Sequence, residues 1–167
     1  MTSAVEISDS RRTIRLPIDE GVIAFRSLSP QRHRFELEYA LERGSTANSV
    51  LFEAGDGAPA VLVHPPGAAY RDVFLPALAK ALPPSDAPLL VVVGHINPNR
   101  VALLRDLGET YAGLELIVSN AGAKLVDELW HQRRPAPPGE DIEHHPLPPR
   151  PPLRVARREE ALALAQG

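Results

Sequence analysis

LLVVVGHINPNR, residues 89–100, is the stretch that decides the fold. A continuous apolar run ends at Gly94, and polar side chains then follow at every second position, at His95, Asn97 and Asn99. A run of this length is typical of a strand buried on both faces in a layered α/β fold. Alternating side chains just beyond such a strand converge in a crevice, where His, Glu and Asp would hold a metal ion. Two of the three are amides here, and an amide oxygen is a poor ligand for a transition metal because it lacks a full negative charge.

Composition narrows the functional class. The chain has 167 residues, enough for one domain, and a formal charge of −3 that gives no general case for nucleic acid or an anionic membrane. The absence of cysteine excludes disulfides, iron–sulfur clusters and thiolate zinc sites, and it suits a cytoplasmic protein. No apolar run approaches the ~20 residues that cross a bilayer, so we expect no membrane insertion.

The first part of the chain predicts a β meander. Period-two alternation and intervening turn residues favour strands, and FELEYAL has the pattern of a half-buried antiparallel strand. GSTANS, residues 44–49, has the composition of a turn. The predicted strands are Thr13–Ile18, Gly21–Leu28, Arg34–Leu41, Ser49–Ala54 and Ala60–Val63.

The second part predicts alternating helices and strands. Helical spacing of apolar residues covers Ala69–Leu82, Asn99–Leu107 and Asn120–Trp130, with strands at Leu89–Val93 and Leu114–Val118. Pro76 lies inside the first of these helices and predicts a kink or a late helix start. This order favours an α/β (layered α+β) fold, in which a mixed β-sheet carries helices on one face.

The ends and the loop complete the predicted organisation. We expect a flexible N-terminus over residues 1–12, a domain over residues 13–133, and an extended Pro-rich loop over residues 134–152. A last strand, Leu153–Arg157, then begins a further unit in residues 153–167, as if a second half were starting. A sheet with helices on one face needs a second layer, so we expect an exposed sheet face or edge, and a chain that is a fragment or needs a partner.

At this point a family resemblance becomes visible. The segments that carry it are IAFRSLSPQRHRFELEYALERGSTANSVLF, AYRDVFLPALAKAL, LLVVVGHINPNRVALLRDL and LELIVSNAGAKLVDELW. In order along the chain they resemble the first half of the metallo-β-lactamase-like domain of flavodiiron proteins, and most closely the multidomain cyanobacterial type, the diflavin flavoproteins. The tail PLRVARREEALALAQG is similar to the strand pair that opens the second half of that domain. The resemblance therefore implies an incomplete αββα sandwich.

The resemblance also implies a chemistry. Family members reduce oxygen to water, or nitric oxide to nitrous oxide, at a di-iron centre, with electrons from FMN in a separate domain and, in the cyanobacterial type, from NAD(P)H. Their first metal motif, His-x-Glu-x-Asp-His, falls on His95, Asn97, Asn99 and Arg100. Only His95 matches, and Arg100 adds a fixed positive charge. The remaining family ligands would lie beyond Gly167.

These substitutions lead to three hypotheses. The first is the N-terminal part of a flavodiiron oxidoreductase with a degenerate metal motif, inactive alone. For this chain we expect no catalytic residue, no metal and no cofactor. Di-iron and FMN belong to the full-length family. The second is a non-catalytic subunit or interaction protein that forms a homo- or hetero-oligomer with flavodiiron-type subunits. The third is a small anion-binding module that uses Arg100 and the amides.

For several histidines and for Arg100, the sequence leaves more than one role open. His95 is either a metal ligand or a strand-end histidine bonded to nearby backbone. Arg100 either binds an anion such as chloride or pairs with a neighbouring carboxylate. His64, which stands where the family usually has Asp, is expected to be structural. His144 and His145, with Glu140, Asp141 and Glu143, form at most a weak divalent-ion site because a loop of this composition is not preorganised.

Overall fold

A computed structural model describes residues 11–30, 34–35, 39–40, 44–132 and 149–155. The described chain contains nine strands and three α-helices. The strands are β1 (Arg12–Asp19), β2 (Val22–Ser29), β3 (Arg34–Phe35), β4 (Tyr39–Ala40), β5 (Ser45–Phe52), β6 (Ala60–Val63), β7 (Leu89–Val92), β8 (Leu114–Val118) and β9 (Leu153–Val155). The helices are α1 (Arg71–Ala81), α2 (Pro98–Thr110) and α3 (Asn120–Trp130), and a 3₁₀ turn (Ala68–Tyr70) leads into α1.

One mixed sheet of seven strands organises the chain, in the order β1-β2-β5-β6-β7-β8-β9. The pairs β1-β2, β2-β5 and β5-β6 are antiparallel. The pairs from β6 to β9 are parallel, because helices connect β6 to β7 and β7 to β8. The predicted α/β class with a mixed sheet is therefore confirmed.

All three helices pack on one face of this sheet. Aligned registers place one apolar residue of each successive strand in a row across that face: Ile23, Leu51, Leu62, Val91, Leu116 and Leu153. Buried side chains of every helix join this row in a single core, and Phe74 of α1 meets Phe25 of β2 edge to face at 5.8 Å between ring centroids. The predicted one-sided helix layer is confirmed.

The opposite face of the sheet is also apolar from β1 to β8. Residues one position away in the register form a second row across this face, which we call the open face: Leu16, Ala24, Val50, Val63, Val92 and Ile117. On β9 the row ends at the charged Arg154. Its margin exposes Phe52 and Leu16, each with 45% of its surface accessible. Strand β7 is thus enclosed by the helices on one side and only half-covered on the other, as expected of a layer that lacks its partner.

The turn predicted for GSTANS is wrong. Residues 45–49 belong to β5, and Gly44, which precedes the strand, has a φ of +78°. The strand pairs with β2 from Ser45↔Ser29 to Phe52↔Val22. Its inward serines are satisfied inside the core, because the Ser45 hydroxyl lies 2.8 Å from the Tyr70 hydroxyl. Small polar residues therefore continue the strand where partners for their hydroxyls are available.

The single strand predicted over Arg34–Leu41 is also wrong. Residues 34–35 pair antiparallel with residues 39–40, so the segment doubles back on itself and lies outside the seven-stranded sheet. Period-two alternation identifies extended backbone but does not identify the partner strand. The pairing of Phe35 with Tyr39 is compatible with the same alternation.

Helix α1 runs through Pro76 without interruption, so the predicted late start is wrong. Because Pro76 has no N–H, the helix lacks the hydrogen bond that residue 76 would donate to the carbonyl of Asp72. The guanidinium of Arg71 donates to both carboxylate oxygens of Asp106, at 2.5 and 2.8 Å, and fixes α1 against α2. This bidentate pair and the packing of Phe74 and Leu78 compensate for the missing bond.

The predicted domain boundaries stay predictions. Strand β1 starts at Arg12, and Arg11 forms an ion pair with Asp72. Residues 1–10, most of the Pro-rich segment and residues 156–167 lie outside the described residues. Within the described residues, none of the helices has the length and apolarity that crossing a bilayer requires.

Candidate functional site

The site lies where β6 and β7 end side by side. The two strands are parallel neighbours, so the residues that follow them, His64 and Val93-Gly94-His95, emerge at the same edge of the sheet. His64 adopts a left-handed conformation with φ of +56°, an uncommon one for a residue other than glycine. Its N–H donates to the Val92 carbonyl at 2.8 Å, and its carbonyl accepts from the Ser49 hydroxyl at 3.0 Å. These bonds turn the chain sharply after β6.

Asn97 caps helix α2. Its side-chain oxygen accepts a hydrogen bond from the N–H of Arg100 at 2.8 Å, and its backbone is extended, as in a standard N-cap. Pro98 follows at the first helical position, where a missing N–H carries no penalty. The side-chain amide of Asn97 therefore has a structural role.

Asn99 joins the helix start to the turn before α1. Its side-chain oxygen accepts from the N–H of Ala69 at 3.2 Å, across the crevice between the two segments. A Cβ at Gly67 would lie 2.1 Å from Nδ2 of Asn99, so the absence of a side chain at Gly67 makes this approach possible. The side-chain amide of Asn99 is therefore also bound to the backbone.

Arg100 folds back over the strand end. Its Nη1 donates to the carbonyl of His95 at 2.9 Å, and its buried Nε has no hydrogen-bond partner among the described residues. Within the part of the chain that the structure describes, Arg100 forms no ion pair with a carboxylate, which contradicts the pairing considered from sequence. The guanidinium stays protonated, although burial lowers the pKa of Arg100 below its ordinary value.

Three basic side chains, those of His64, His95 and Arg100, lie close enough to affect one another electrostatically. Burial lowers the pKa of His64 below its ordinary value, and the charges of Arg100 and His95 lower it further. A cation entering here would meet the same repulsion. Across the described ranges, no group of three or more His, Cys, Asp or Glu side chains could hold a metal ion.

The structure brings together His95, Asn97, Asn99 and Arg100 as the sequence suggested, and adds two residues. His64 joins them because β6 and β7 are adjacent, and Gly67 joins them through Asn99. The positive φ of His64 and the contact at Gly67 depend on tertiary packing and left no sequence signal. His144, His145 and the nearby acidic residues lie outside the described residues.

Comparison with known proteins identifies the family. Over 152 residues the chain is 43% identical to diflavin flavoprotein A 6 of Nostoc sp. PCC 7120, and the match covers 91% of this chain. The chain belongs to the flavodiiron family. It spans about a quarter of the curated relative's length, 23%. No family model matches the chain.

Solved flavodiiron structures share the fold. The metal-soaked Flv1 flavodiiron core of Synechocystis sp. PCC 6803 superposes with a TM-score of 0.71 at 28% identity, over 88% of this chain and 32% of that one. Residues 1–254 of diflavin flavoprotein A 5 from Nostoc give a TM-score of 0.68 at 27% identity, over 89% of this chain and 51% of that one. The sheet and helices of this flavodiiron chain are therefore part of the metallo-β-lactamase-like core.

Proposed function

We propose that this chain supplies one layer of the metallo-β-lactamase-like core of a cytoplasmic flavodiiron-type oxidoreductase, and that the layer carries a metal-free site. In the family, the complete protein reduces oxygen with electrons from FMN and NAD(P)H. Here the chain contributes a folded sheet and a crevice without iron ligands, so its role in such an assembly is architectural and catalytic chemistry lies elsewhere.

One observation carries this proposal: both amides at the carboxylate positions are engaged with backbone. The Asn97 oxygen is bonded to the N–H of Arg100 and the Asn99 oxygen to the N–H of Ala69. An iron ion would have to break the cap of α2 and the link to the preceding turn. It would gain neutral oxygen ligands in return, which bind iron weakly.

Charge supports the same conclusion. Iron ligand sets in proteins commonly combine imidazoles with carboxylates, and the carboxylates offset the charge of the metal. In this site the described side chains are His64, His95, two amides and the guanidinium of Arg100, whose Nη1 already lies against the His95 carbonyl. The donor set therefore does not fit a di-iron centre.

A second candidate function, an interaction subunit, is favoured by the open face. That face presents an apolar row from Leu16 to Ile117, and apolar sheet faces of this kind are normally covered by a second layer. A flavodiiron-type polypeptide that carries the missing layer is the proposed partner. Covering the face would bury Phe52 and Leu16, which are exposed in this chain.

Metal binding tests the first proposal. The purified chain is loaded with ferrous iron under anaerobic conditions, desalted and measured by elemental analysis, beside a variant with Asn97→Glu, Asn99→Asp and Arg100→His. We expect far less than one equivalent of iron on the natural chain and a higher content on the variant. Stoichiometric iron on the natural chain that disappears in His95→Ala would overturn the proposal.

Size-exclusion chromatography tests the second proposal. The chain is mixed with a diflavin flavoprotein that retains the complete metal motif, and with a version of that protein that lacks its second sheet layer. We expect co-elution that Phe52→Lys abolishes and that Lys124→Glu, on the exposed surface of α3, leaves intact. Separate elution under all conditions would count against an interaction role.

A further inference from the structure

A groove of about 410 Å³ lies between edge strand β1 and helix α1, and its lining includes none of the crevice residues His64, His95, Asn97, Asn99 and Arg100. Four cationic side chains and one carboxylate line it: Arg11, Arg12, Arg15, Lys80 and Asp72. We call this feature the β1–α1 groove. Neither the family relationship nor the proposed function assigns a role to it.

The walls of the groove run side by side. Arg15 is opposite Phe25 in the register, so it belongs to the helix-facing side of β1. From Arg11 to Arg15 the strand advances about 13 Å, and from Asp72 to Lys80 the helix advances about 12 Å. At one end the guanidinium of Arg11 donates to Asp72 at 2.6 Å and to the Ala69 carbonyl at 2.8 Å, which closes that end.

The other end of the groove carries uncompensated positive charge. Arg11 and Asp72 neutralise each other, whereas Arg15 and Lys80 form no ion pair within the described residues and are exposed. The whole chain has a net charge of −3, so this basic concentration is opposite in sign to the average surface. A ligand with negative charge complements it.

The groove borders unpaired backbone. Within the described part of the sheet, β1 pairs only with β2, and its outer side presents the N–H and C=O groups of an edge strand. The neighbouring floor of the groove is apolar or small, formed by Val73, Pro76 and Ala77. Backbone hydrogen bonds beside a side-chain groove are the elements of recognition by strand addition.

We propose that the β1–α1 groove binds an extended acidic segment of a partner polypeptide, which adds to β1 as a further strand. In this partner segment, the side chains that face α1 are acidic where they lie beside Arg15 and Lys80. Those that lie over Val73, Pro76 and Ala77 are small and apolar. Pro17 has no N–H to donate, so the added strand pairs with the part of β1 that precedes it. The binding is weakened by salt because Arg15 and Lys80 are exposed.

The test uses the full chain and capped peptides of about eight residues. In each peptide, the positions that would face α1 carry Val and Glu, and the positions between them carry Thr. Two peptides are compared, with the Glu residues at opposite ends. Binding is measured by fluorescence anisotropy. We expect saturable binding of one orientation, a loss of at least tenfold in affinity with Arg15→Glu and Lys80→Glu together, and no change with Arg26→Glu and Lys124→Glu together, a matched charge reversal elsewhere.

Two further measurements separate strand addition from simple charge attraction. Peptide binding should slow amide hydrogen exchange in β1, and a central Thr→Pro change in the peptide should abolish binding because it removes a backbone donor. A peptide with Lys in place of Glu should bind the charge-reversed variant. Absence of binding would show that the charges only protect the sheet edge from aggregation and would overturn the proposal. Equal binding of inorganic phosphate or of the Pro peptide would also overturn it, and iron content decides the proposed function separately.

Discussion

The guanidinium of Arg105 lies 5.8 Å from the ring centroid of Trp130 while its Nη2 donates to main-chain carbonyls at the end of α3. Arg105 is in the middle of α2 and is buried, with 8% of its surface exposed. It donates to the carbonyl of Leu129 at 2.5 Å and to that of Gln132 at 2.9 Å, as well as to that of Trp130. One side chain thereby caps α3 and fastens it to α2.

Replacing Arg105 with Met should destabilise the chain by about 3 kcal/mol, because the carbonyls at the end of α3 lose a charged donor in a buried position. Urea unfolding followed by circular dichroism measures this change. Arg105→Lys should recover part of the loss, since an ammonium keeps the charge but lacks the planar fork. A Met variant as stable as the natural chain would show that these bonds add nothing to stability.

Asn97→Ala should cost about 1 kcal/mol through loss of the cap of α2. Asn97→Asp should keep the stability, because a carboxylate accepts the same bond from the Arg100 N–H and favours a helix N-terminus. Thermal unfolding of the three proteins in parallel makes the comparison. If Ala and Asp have equal effects, the cap does not account for the role of the amide.

Gly67→Ala should displace Asn99, since the added Cβ would approach Nδ2 at 2.1 Å and the bond to the Ala69 N–H would be lost. The two sites should therefore be coupled, and a double-mutant cycle with Asn99→Ala measures this coupling. In the Asn99→Ala background, Gly67→Ala should cost clearly less than it does alone. Additive effects would exclude the proposed contact.

Stability should decrease as the pH falls below about 6.5, the ordinary pKa of histidine. Burial and the charges of Arg100 and His95 lower the pKa of His64 in the folded chain. The unfolded chain therefore binds a proton at His64 at a higher pH than the folded chain does, and acid favours unfolding. The contribution is fully present above pH 6.5 and is lost as the pH falls through the lowered pKa.

His64→Asn tests that assignment, because Asn tolerates the left-handed backbone at this position and does not titrate. Below about pH 6.5, the stability of the variant should depend less on pH than that of the natural chain. An unchanged slope in His64→Asn would assign the effect to other groups.

The sequence by itself determined the fold class and the position of the site. The apolar run of Leu89–Val93, the helical spacing of residues 120–130 and the polar series after Gly94 are local signals, and burial acts on them directly. They sufficed to predict a mixed sheet with helices on one face and a site just beyond the strand Leu89–Val93. The ordered similarity to flavodiiron proteins was visible in the same segments.

Only the tertiary structure decided what the polar residues do. It paired Ser45–Ser49 with β2 as strand where composition suggested a turn, and it paired residues 34–35 with residues 39–40. It also assigned Asn97 to a helix cap and Asn99 to the backbone of Ala69, and it placed His64 beside Arg100. The physical reason is that hydrogen bonds and charge interactions depend on partners distant in sequence. The apolar periodicity of a strand or helix, in contrast, is a property of that segment's own sequence.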